Sequence, residues 1–259
     1  MNVTGVGIKE GRTPCCGKGC CQRDSAEHEG YDGAPTDARI TENNTTNTDR
    51  NGNGLLEEIL CAENLNKAYK RVKSNKGAYG VDGMEVEHLL QYLKDNGKEL
   101  TKSILGGKHR PNPVRRVEIP KDNGKMRKLG IPTAVDRVVQ LAIAQKLSPM
   151  FEPQFCETSY GFRPNRSAHD ALEKCKEYAN QGYTYVVDMD LEKFFDTVNQ
   201  SKMIEILSRT VKDGRVISLI HKYLIAGAID KGRFEETDEG LVQGGVNQPV
   251  MQQHYAKRT

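Results

Sequence analysis

Two aspartates, Asp188 and Asp190, stand inside the stretch YTYVVDMDLEKFFDTVN at residues 183–199. In a β-strand, side chains two residues apart share a face, so both carboxylates would lie on the same side as Val186. Paired carboxylates on a short strand suit a hard divalent cation such as Mg²⁺. Short acidic patterns arise easily, however, and this one alone also fits a strand that ends at a solvated acidic turn.

A second group of reactive side chains is cationic. The segments PVRRVEIP and MRKLGIP, on either side of KDNGK, alternate with a period of two and predict a β-hairpin that turns at Asn123 and Gly124. Lys121 and Arg127 lie on its two arms. Charged runs are usually solvated, so the hairpin alone does not establish a binding site.

The remaining pattern is mainly helical. Apolar spacing predicts that ordered structure begins near Leu55, that residues 84–105 form two short helices broken at Asn96 and Gly97, and that two further helices follow residue 201. Thr133 with Asp136, and Ser167 with Asp170, have the spacing of helix caps. Residues 183–190 read as a buried strand, and residues 228–236 as a small hairpin around Lys231 and Gly232. Helices interleaved with antiparallel strands predict an α+β fold.

Charge is distributed unevenly along the chain. The net charge is +3, yet residues 1–64 carry six Lys or Arg against eleven Asp or Glu, whereas residues 65–130 carry sixteen against seven, an excess of nine positive charges. Such a block suits a polyanionic partner. The sequence contains no apolar run long enough to cross a membrane and begins without the apolar run of a secretory signal, so we expect a cytoplasmic protein that does not contact membranes.

Residues 1–54 are rich in Gly, Asn, Thr and Asp and predict a disordered leader. The leader includes CCGKGCC at residues 15–21. Its paired cysteines do not match common zinc-ligand spacings, so a thiol-rich tail in a reducing compartment is the favoured interpretation, with a structural zinc site as the alternative.

Four blocks in order resemble the reverse transcriptases encoded by group II introns, the intron maturase family: RRVEIPKDNGKMRKLGIPTAVDRVVQ, FCETSYGFRPNRSAHDAL, VVDMDLEKFFDTVN and GLVQGG. The resemblance spans about residues 65–245. It implies an α+β fold made of reverse-transcriptase fingers and an incomplete palm, mostly helical, with a fingers hairpin and a short antiparallel palm sheet. The implied division is a leader at 1–54, fingers with an N-terminal extension at 55–180, a partial palm at 181–245 and an unrelated tail at 246–259.

By position, the resemblance makes Asp190 the first of three catalytic, metal-binding aspartates, with the carbonyl of Leu191 as a neighbouring ligand in a two-metal Mg²⁺ site. Phe195 matches the aromatic plate under the incoming sugar, which would clash with a 2′-hydroxyl and so select deoxynucleotides. Lys121 and Arg127 match residues that grip the triphosphate, and Gln243 matches a residue that lines the nucleotide site.

The resemblance also implies contacts to template RNA. Arg163 and Arg166, with Tyr160 and Phe162, resemble the fingers segment along the template, where arginine and aromatic side chains contact phosphates and stack on bases. The remaining predicted template contacts lie in or beside the N-terminal extension, which the family shares with non-LTR retroelement enzymes; they are Lys108, Arg110, Arg115 and Arg116.

After QGG the sequence departs from the family. The Tyr-Ala-Asp-Asp block that carries the other two aspartates is absent from the 259 residues. Back-translation of residues 246–259 in a shifted frame is compatible with TSPLCSNIMLNE, which is close to the helix the family has there, and suggests a frameshift. We therefore expect negligible polymerase activity from these residues alone.

Three hypotheses follow. The first is a fragment of a group II intron RNA-directed DNA polymerase and maturase, with intron and template RNA, a DNA primer and deoxynucleoside triphosphates as partners, and a homo-oligomer as an open option. The second is a non-catalytic RNA-binding module that retains intron or template contacts. The third is an unrelated metal-dependent nuclease that uses Asp188 and Asp190, for which no partner acid or His stands at a convincing spacing.

Overall fold

The computed structural model describes residues 54–120, 124, 126–188, 194–237 and 239–241. The predictions for the leader, for Lys121, for the metal ligands Asp190 and Leu191, for Gln243 and for the tail fall outside these residues. The description below is confined to the described ones.

The α-helices of the described residues are α1 (Leu55–Leu60), α2 (Ala62–Ser74), α3 (Leu89–Leu105), α4 (Ala134–Phe151), α5 (Ala168–Asn180), α6 (Phe194–Thr197), α7 (Gln200–Thr210) and α8 (Gly214–Leu224). Short 3₁₀ turns lie at Val86–His88 and Glu152–Gln154. The helix predicted to begin near Leu55 is interrupted at Cys61, whose ψ of 147° is extended rather than helical. The first helix of the described residues begins where the apolar spacing placed it.

Helix α4 is the centre of the helical core. Its predicted stripe is buried, from Val135 through Ile143 to Leu147, and its remaining faces are largely buried as well, with α1, α2 and α3 packed around it. The predicted cap is confirmed, because the Thr133 Oγ1 accepts the main-chain N–H of Asp136 at 3.1 Å. A helix enclosed in this way fixes the position of the strand that leads into it.

The break predicted in α3 at Asn96 and Gly97 is wrong, since one helix runs through both residues. Gly97 is buried and faces Leu65, Tyr69 and Val138, which belong to α2 and α4. Glycine costs a helix interior only about 1 kcal/mol relative to alanine, which packing against two helices outweighs. The Asn96 side chain turns back and donates to the Tyr92 carbonyl at 3.2 Å.

The sheet has four strands in the order β2, β1, β3, β4, with bounds β1 (Val114–Pro120), β2 (Met126–Ile131), β3 (Ala228–Asp230) and β4 (Arg233–Glu235). Both predicted hairpins form. Lys231 and Gly232 turn the second one with φ values of 49° and 83°, as a tight two-residue turn between strands requires.

The two hairpins join in a way that the sequence pattern did not indicate. β1 and β3 pair in parallel, with Val114 opposite Ala228 and Arg115 opposite Ile229. The α+β class is confirmed, but the sheet is mixed rather than antiparallel, and it connects the fingers hairpin directly to the hairpin that follows α8.

The buried strand predicted at residues 183–190 is not observed. Residues 183–188 belong to no helix or strand, and their side chains are exposed, with Tyr185 at 97% and Val186 at 91%. A strand buries its side chains only when other elements cover it, and within the described part of the chain no strand pairs with these residues. Residues 189 and 190 lie outside the description.

Among the described helices, none combines the length and hydropathy that a membrane span requires.

Candidate nucleic-acid interface

Phe195, the predicted plate under the sugar, lies in the short helix α6 and is half-buried against the core. Its main-chain carbonyl accepts the N–H of Leu241 at 2.6 Å, and the N–H of Gly240 donates to the Val198 carbonyl at 2.8 Å. A Cβ built on Gly240, whose φ is +79°, would lie 2.7 Å from the Phe195 carbonyl oxygen. The segment that leads into the predicted nucleotide-site residue Gln243 is therefore held directly against α6.

Gln200 also holds the segment around Gly240. Its buried Nε2 donates to the carbonyls of Thr237 at 2.9 Å and Gly240 at 3.1 Å. It is the first residue of α7, after the cap Asn199, whose side chain accepts the Lys202 N–H. Sequence reasoning missed Gln200, since no local pattern distinguishes a buried glutamine at a helix start from a solvated one.

The fingers hairpin presents Arg127 to solvent. Arg127 pairs with Ile119 near the end of the hairpin, and its side chain is exposed. Residues directly opposite each other share a face, and so do alternate residues along a strand, so Arg127 lies on the face of Arg115, while Lys128, opposite Glu118, lies on the other. Lys121 is outside the described residues, so the structure places one of the two predicted triphosphate contacts.

The base of the hairpin is fixed by ionic and main-chain contacts. The Val114 N–H donates to the Gly227 carbonyl at 3.0 Å. The Arg116 Nη1 lies 2.5 Å from the Glu235 Oε2, across β3. Arg116, predicted to contact the template, therefore has its charge paired with a carboxylate on β4.

Arg115 holds a loop rather than projecting freely. Its Nε and Nη2 donate to the Tyr79 carbonyl at 3.1 and 2.8 Å, and its guanidinium lies 4.4 Å from the centre of the Tyr79 ring. The half-buried Arg137 donates to the Ala78 carbonyl at 2.9 Å, and its burial lowers its pKa from the ordinary value. Two arginines thus fix the glycine-punctuated loop before α3 against the start of β1 and α4.

Lys108 and Arg110 are exposed and line a groove together with Pro111, Lys222 and Ile225. The cavity has a volume of about 530 Å³. Lys222 is already engaged there, since its Nζ donates to the carbonyls of Gly107 at 2.6 Å and His109 at 3.2 Å. Lys108 and Arg110 are the predicted template residues whose charges point most openly to solvent.

A buried carboxylate, that of Asp136, bonds to residues next to those that line the groove. Asp136 accepts hydrogen bonds from the Thr133 hydroxyl at 2.7 Å, the Asn112 N–H at 3.3 Å and the Tyr223 hydroxyl at 3.2 Å. Burial and the neighbouring Asp136 raise the pKa of Tyr223 well above 10.0, so its hydroxyl stays protonated as a donor. The capping pattern predicted the Asp136 to Thr133 contact, but no sequence signal pointed to Tyr223.

Arg163 and Arg166 lie in the predicted loop between α4 and α5. The Arg163 guanidinium donates twice to the Glu152 Oε1, at 2.9 and 2.7 Å, and to the carbonyls of Cys156 and Ser159 at 2.6 and 3.1 Å, and its side chain is only 6% exposed. Arg166 donates to the Glu157 and Ser159 carbonyls and lies 5.3 Å from the Tyr160 ring centre. Both arginines shape the loop.

The loop ends in the capping box predicted at Ser167 and Asp170, which is confirmed. Hydrogen bonds from the Ser167 side chain and main chain lower the pKa of Asp170. At the tip, Phe162 is 75% exposed and has a φ of +55°, a backbone region that bulky side chains rarely adopt. Arg163 and Arg166, which both follow this tip, bond back to the carbonyls of residues 156–159 before it and so close the loop.

The metal prediction rests on residues outside the description. Within the described ranges, no three His, Cys, Asp or Glu side chains are grouped as a metal site would require. Asp188, the supporting acid beside Asp190, is described and exposed.

Comparison with known proteins decides the family. The model of the family described as reverse transcriptase (RNA-dependent DNA polymerase) matches residues 119–259, more than half of the chain. The chain belongs to this family. Within it, the chain groups with the proteins encoded by group II introns, because relatives with similar sequences are named as intron-encoded proteins and intron maturases.

Two relatives show the extent of the likeness. The chain is 40% identical over 203 residues to Protein YkfC of Escherichia coli K12, and the aligned residues make up 76% of this chain and 53% of that protein. It is 34% identical over 218 residues to the group II intron-encoded protein LtrA of Lactococcus lactis subsp. cremoris, and here the aligned residues make up 84% of this chain and 36% of that protein. The chain thus spans about half or less of the length of these two relatives.

A solved structure has the same fold. The present chain matches a chain of the partial Cas6-RT-Cas1–Cas2 complex with a TM-score of 0.54 at 20% identity, over 78% of this chain and 34% of that chain. At this identity the likeness shows the fold alone. The resemblance inferred from the four sequence blocks is confirmed.

Proposed function

We propose that these residues are the fingers and the start of the palm of an RNA-directed DNA polymerase and maturase that binds intron and template RNA. The observation that carries the proposal is the contact of Gly240 and Leu241 with α6, which brings the predicted sugar plate Phe195 against the segment leading to Gln243. Phe195 is thereby bonded to the chain two residues before Gln243 in the sequence, which supports the proposal that both serve one nucleotide site.

The proposed chemistry assigns a role to each predicted residue. Phe195 excludes a 2′-hydroxyl by its bulk, and Gln243 lines the nucleotide. Lys121 and Arg127 would neutralise the triphosphate, the lysine as a point charge and the arginine as a fork. Asp190 and the Leu191 carbonyl would hold Mg²⁺, which when bound would offset charge developing on the transferred phosphoryl group.

The predicted template contacts divide into two groups. Lys108 and Arg110 are exposed, so among the described residues their side chains can reach phosphate without first breaking a bond to the protein. The other four arginines, namely Arg115, Arg116, Arg163 and Arg166, are bonded to protein carbonyls or carboxylates. We assign the exposed pair to direct phosphate contact and the other four to holding the loops and strands in place.

The test of this assignment is the affinity for a structured group II intron RNA, measured by fluorescence anisotropy at a series of salt concentrations. Each phosphate contact contributes about 0.7–0.9 to the slope of log affinity against log salt, so K108A/R110A should weaken binding and lower the slope by between about one and two. The matched control is K202A/R209A, which removes two charges from exposed α7 side chains paired with Glu205. Equal losses in both double variants would contradict the assignment.

A non-catalytic RNA-binding module is the second candidate. It is favoured by the exposed Lys108 and Arg110, whose charges can bind RNA phosphates without any catalytic residue. Primer extension on an RNA template with Mg²⁺ or Mn²⁺ separates the two candidates. Synthesis that D190N abolishes would establish a polymerase, whereas RNA binding that is indifferent to metal and deoxynucleotide would establish the module.

A further inference from the structure

Residues 107–109, here called the 107–109 turn, follow the end of α3 and are bonded back to that helix. The N–H groups of Lys108 and His109 both donate to the Ser103 carbonyl, at 2.9 and 3.1 Å. Gly107 reverses the chain there with a φ of +66°. The N–H groups of the turn are therefore satisfied by α3, while the side chain of Lys108 is exposed.

Lys222 of α8 bonds the carbonyls of the same turn. Its Nζ donates to the carbonyl of Gly107 at 2.6 Å and to that of His109 at 3.2 Å. An ammonium group has three N–H donors, so one lysine can bond both carbonyls at once. The peptide unit that joins Gly107 to Lys108 is therefore held at both ends, its N–H by α3 and its carbonyl by α8.

The main chain after Arg110 is held through the next residue of α8. The Asn112 N–H donates to the Asp136 carboxylate at 3.3 Å, and that carboxylate accepts the Tyr223 hydroxyl at 3.2 Å. Lys222 and Tyr223 are consecutive, so one turn of α8 fixes the main chain both before and after Arg110. Every partner in this arrangement is a described residue of the same chain.

We propose that Lys222 is a positioning residue for RNA binding, which acts by fixing the main chain that carries Lys108 and Arg110. The inference rests on the proposed function, since that section assigns these two cations to phosphate. A fixed main chain has less conformational freedom to lose when RNA binds, so the same two cations bind more tightly than they would on a loose turn. Lys222 lies 115 residues after Gly107, and no local sequence pattern links the two.

Direct contact of Lys222 with RNA is the competing explanation, because Lys222 lines the groove together with Lys108 and Arg110. Two of its three N–H donors are already bonded to protein carbonyls, however, and its side chain is half-buried. The two explanations differ in how the residues couple. A separate phosphate contact would contribute whether or not the other two cations were present, whereas a positioning residue acts only through them.

The first test measures amide hydrogen exchange of Lys108 and His109 by NMR, in the protein without RNA. K222M removes the N–H donors and keeps a side chain of similar length, so both amides should exchange on the order of tenfold faster than in the parent. K222R keeps several donors and should restore slow exchange. The matched control is K212M, which removes a lysine bonded to the Ser208 carbonyl of α7 and should leave both rates unchanged.

The second test is a double-mutant cycle on the affinity for the structured intron RNA at one salt concentration. K222M should weaken binding about five- to tenfold, K222R should bind like the parent, and K212M should lose less than about twofold, the effect of one distant charge. In the K108A/R110A background, adding K222M should cost no more than adding K212M, because the two cations through which Lys222 acts are gone.

Three results would overturn the positioning role: exchange in K222M as slow as in the parent, an affinity that K108A/R110A weakens but K222M does not, or a K222M loss that is equally large with and without the other two cations. The last result would make Lys222 a phosphate contact of its own. An affinity that K108A/R110A leaves unchanged would instead overturn the phosphate assignment under the proposed function, and the exchange rates would still decide whether Lys222 holds the 107–109 turn.

Discussion

The main-chain N–H of Leu241 donates to the carbonyl of Phe195 at 2.6 Å, across 46 residues of sequence. This bond joins the helix that carries the predicted sugar plate to the chain just before the predicted nucleotide-site glutamine. Between these two residues the chain forms α7, α8 and the second hairpin. Gln200, at the start of α7, donates to the Gly240 carbonyl and so joins the two ends of this stretch a second time. The nucleotide-site prediction for Phe195 is consistent with a rigid backbone position rather than a free loop.

Replacing Gly240 with alanine should disrupt this junction. The new Cβ would meet the Phe195 carbonyl at 2.7 Å, where backbone rather than a flexible side chain must move. We expect a loss of about 3 kcal/mol in the free energy of unfolding, measured by urea denaturation. The matched control is G232A, since Gly232 also has a positive φ, +83°, but open space around it. G232A should cost only about 1 kcal/mol, and equal losses would show that conformational strain alone, not the contact, matters.

Arg127 should contribute to triphosphate binding where its neighbour does not. R127A should weaken deoxynucleoside triphosphate binding, measured by equilibrium dialysis, about tenfold, which corresponds to roughly 1.4 kcal/mol. K128A is the control, because Lys128 lies one residue away on the opposite face of β2, across from Glu118. If both variants bind equally weakly, the effect is one of net charge and the specific role of Arg127 is wrong.

Asp213 should make stability fall in acid. Its carboxylate accepts the Leu56 N–H at 3.2 Å and three bonds from Arg215, one from the main chain and two from the side chain, and joins the starts of α1 and α8. Burial raises its pKa, but the hydrogen bonds from Arg215 and Leu56 outweigh that effect and lower it below 3.8. A lowered pKa stabilises the folded state above the unfolded value, and this stabilisation is lost as the pH falls below about 3.8.

D213N, which mimics the protonated acid, should therefore cost about 2 kcal/mol at neutral pH, and its deficit relative to the parent should shrink as the pH falls below 4. Urea denaturation at several pH values measures both. E57Q is the control, because Glu57 also pairs with Arg215 but is half exposed, and such pairs contribute little. A deficit for D213N that is constant with pH would contradict the role of the ionised carboxylate.

The sequence predicted correctly the helix caps and the tight turn, which depend only on residues close together in the chain. The caps at Thr133 and Ser167 and the turn at Lys231 and Gly232 depend on residues within a few positions of each other. The resemblance of four ordered blocks predicts a nucleotide-site role for Phe195, and this stays a prediction. These features needed no tertiary information.

The errors all required knowledge of distant partners. Helix α3 continues through Gly97 because α2 and α4 pack there, and β1 pairs in parallel with a strand more than 100 residues away. The alternation at 183–188 has the period of a strand, but a pattern does not supply a pairing partner, and no strand is observed there. Likewise, the resemblance assigned Arg163 to the template, and only the fold shows its bond to Glu152.

Tyr223 should make stability fall in alkali. Its buried hydroxyl donates to Asp136, and burial together with that carboxylate raises its pKa well above 10.0. A raised pKa stabilises the folded state below the unfolded value, and this contribution is lost as the pH rises above 10 toward the folded pKa. Y223F should lose about 1–2 kcal/mol at pH 8, and the difference from the parent should narrow above pH 10. Y92F, at an exposed position of α3, should match the parent throughout. If the loss of unfolding free energy in Y223F stayed constant above pH 10, the hydroxyl would stabilise the protein by packing, not by donating its proton to Asp136.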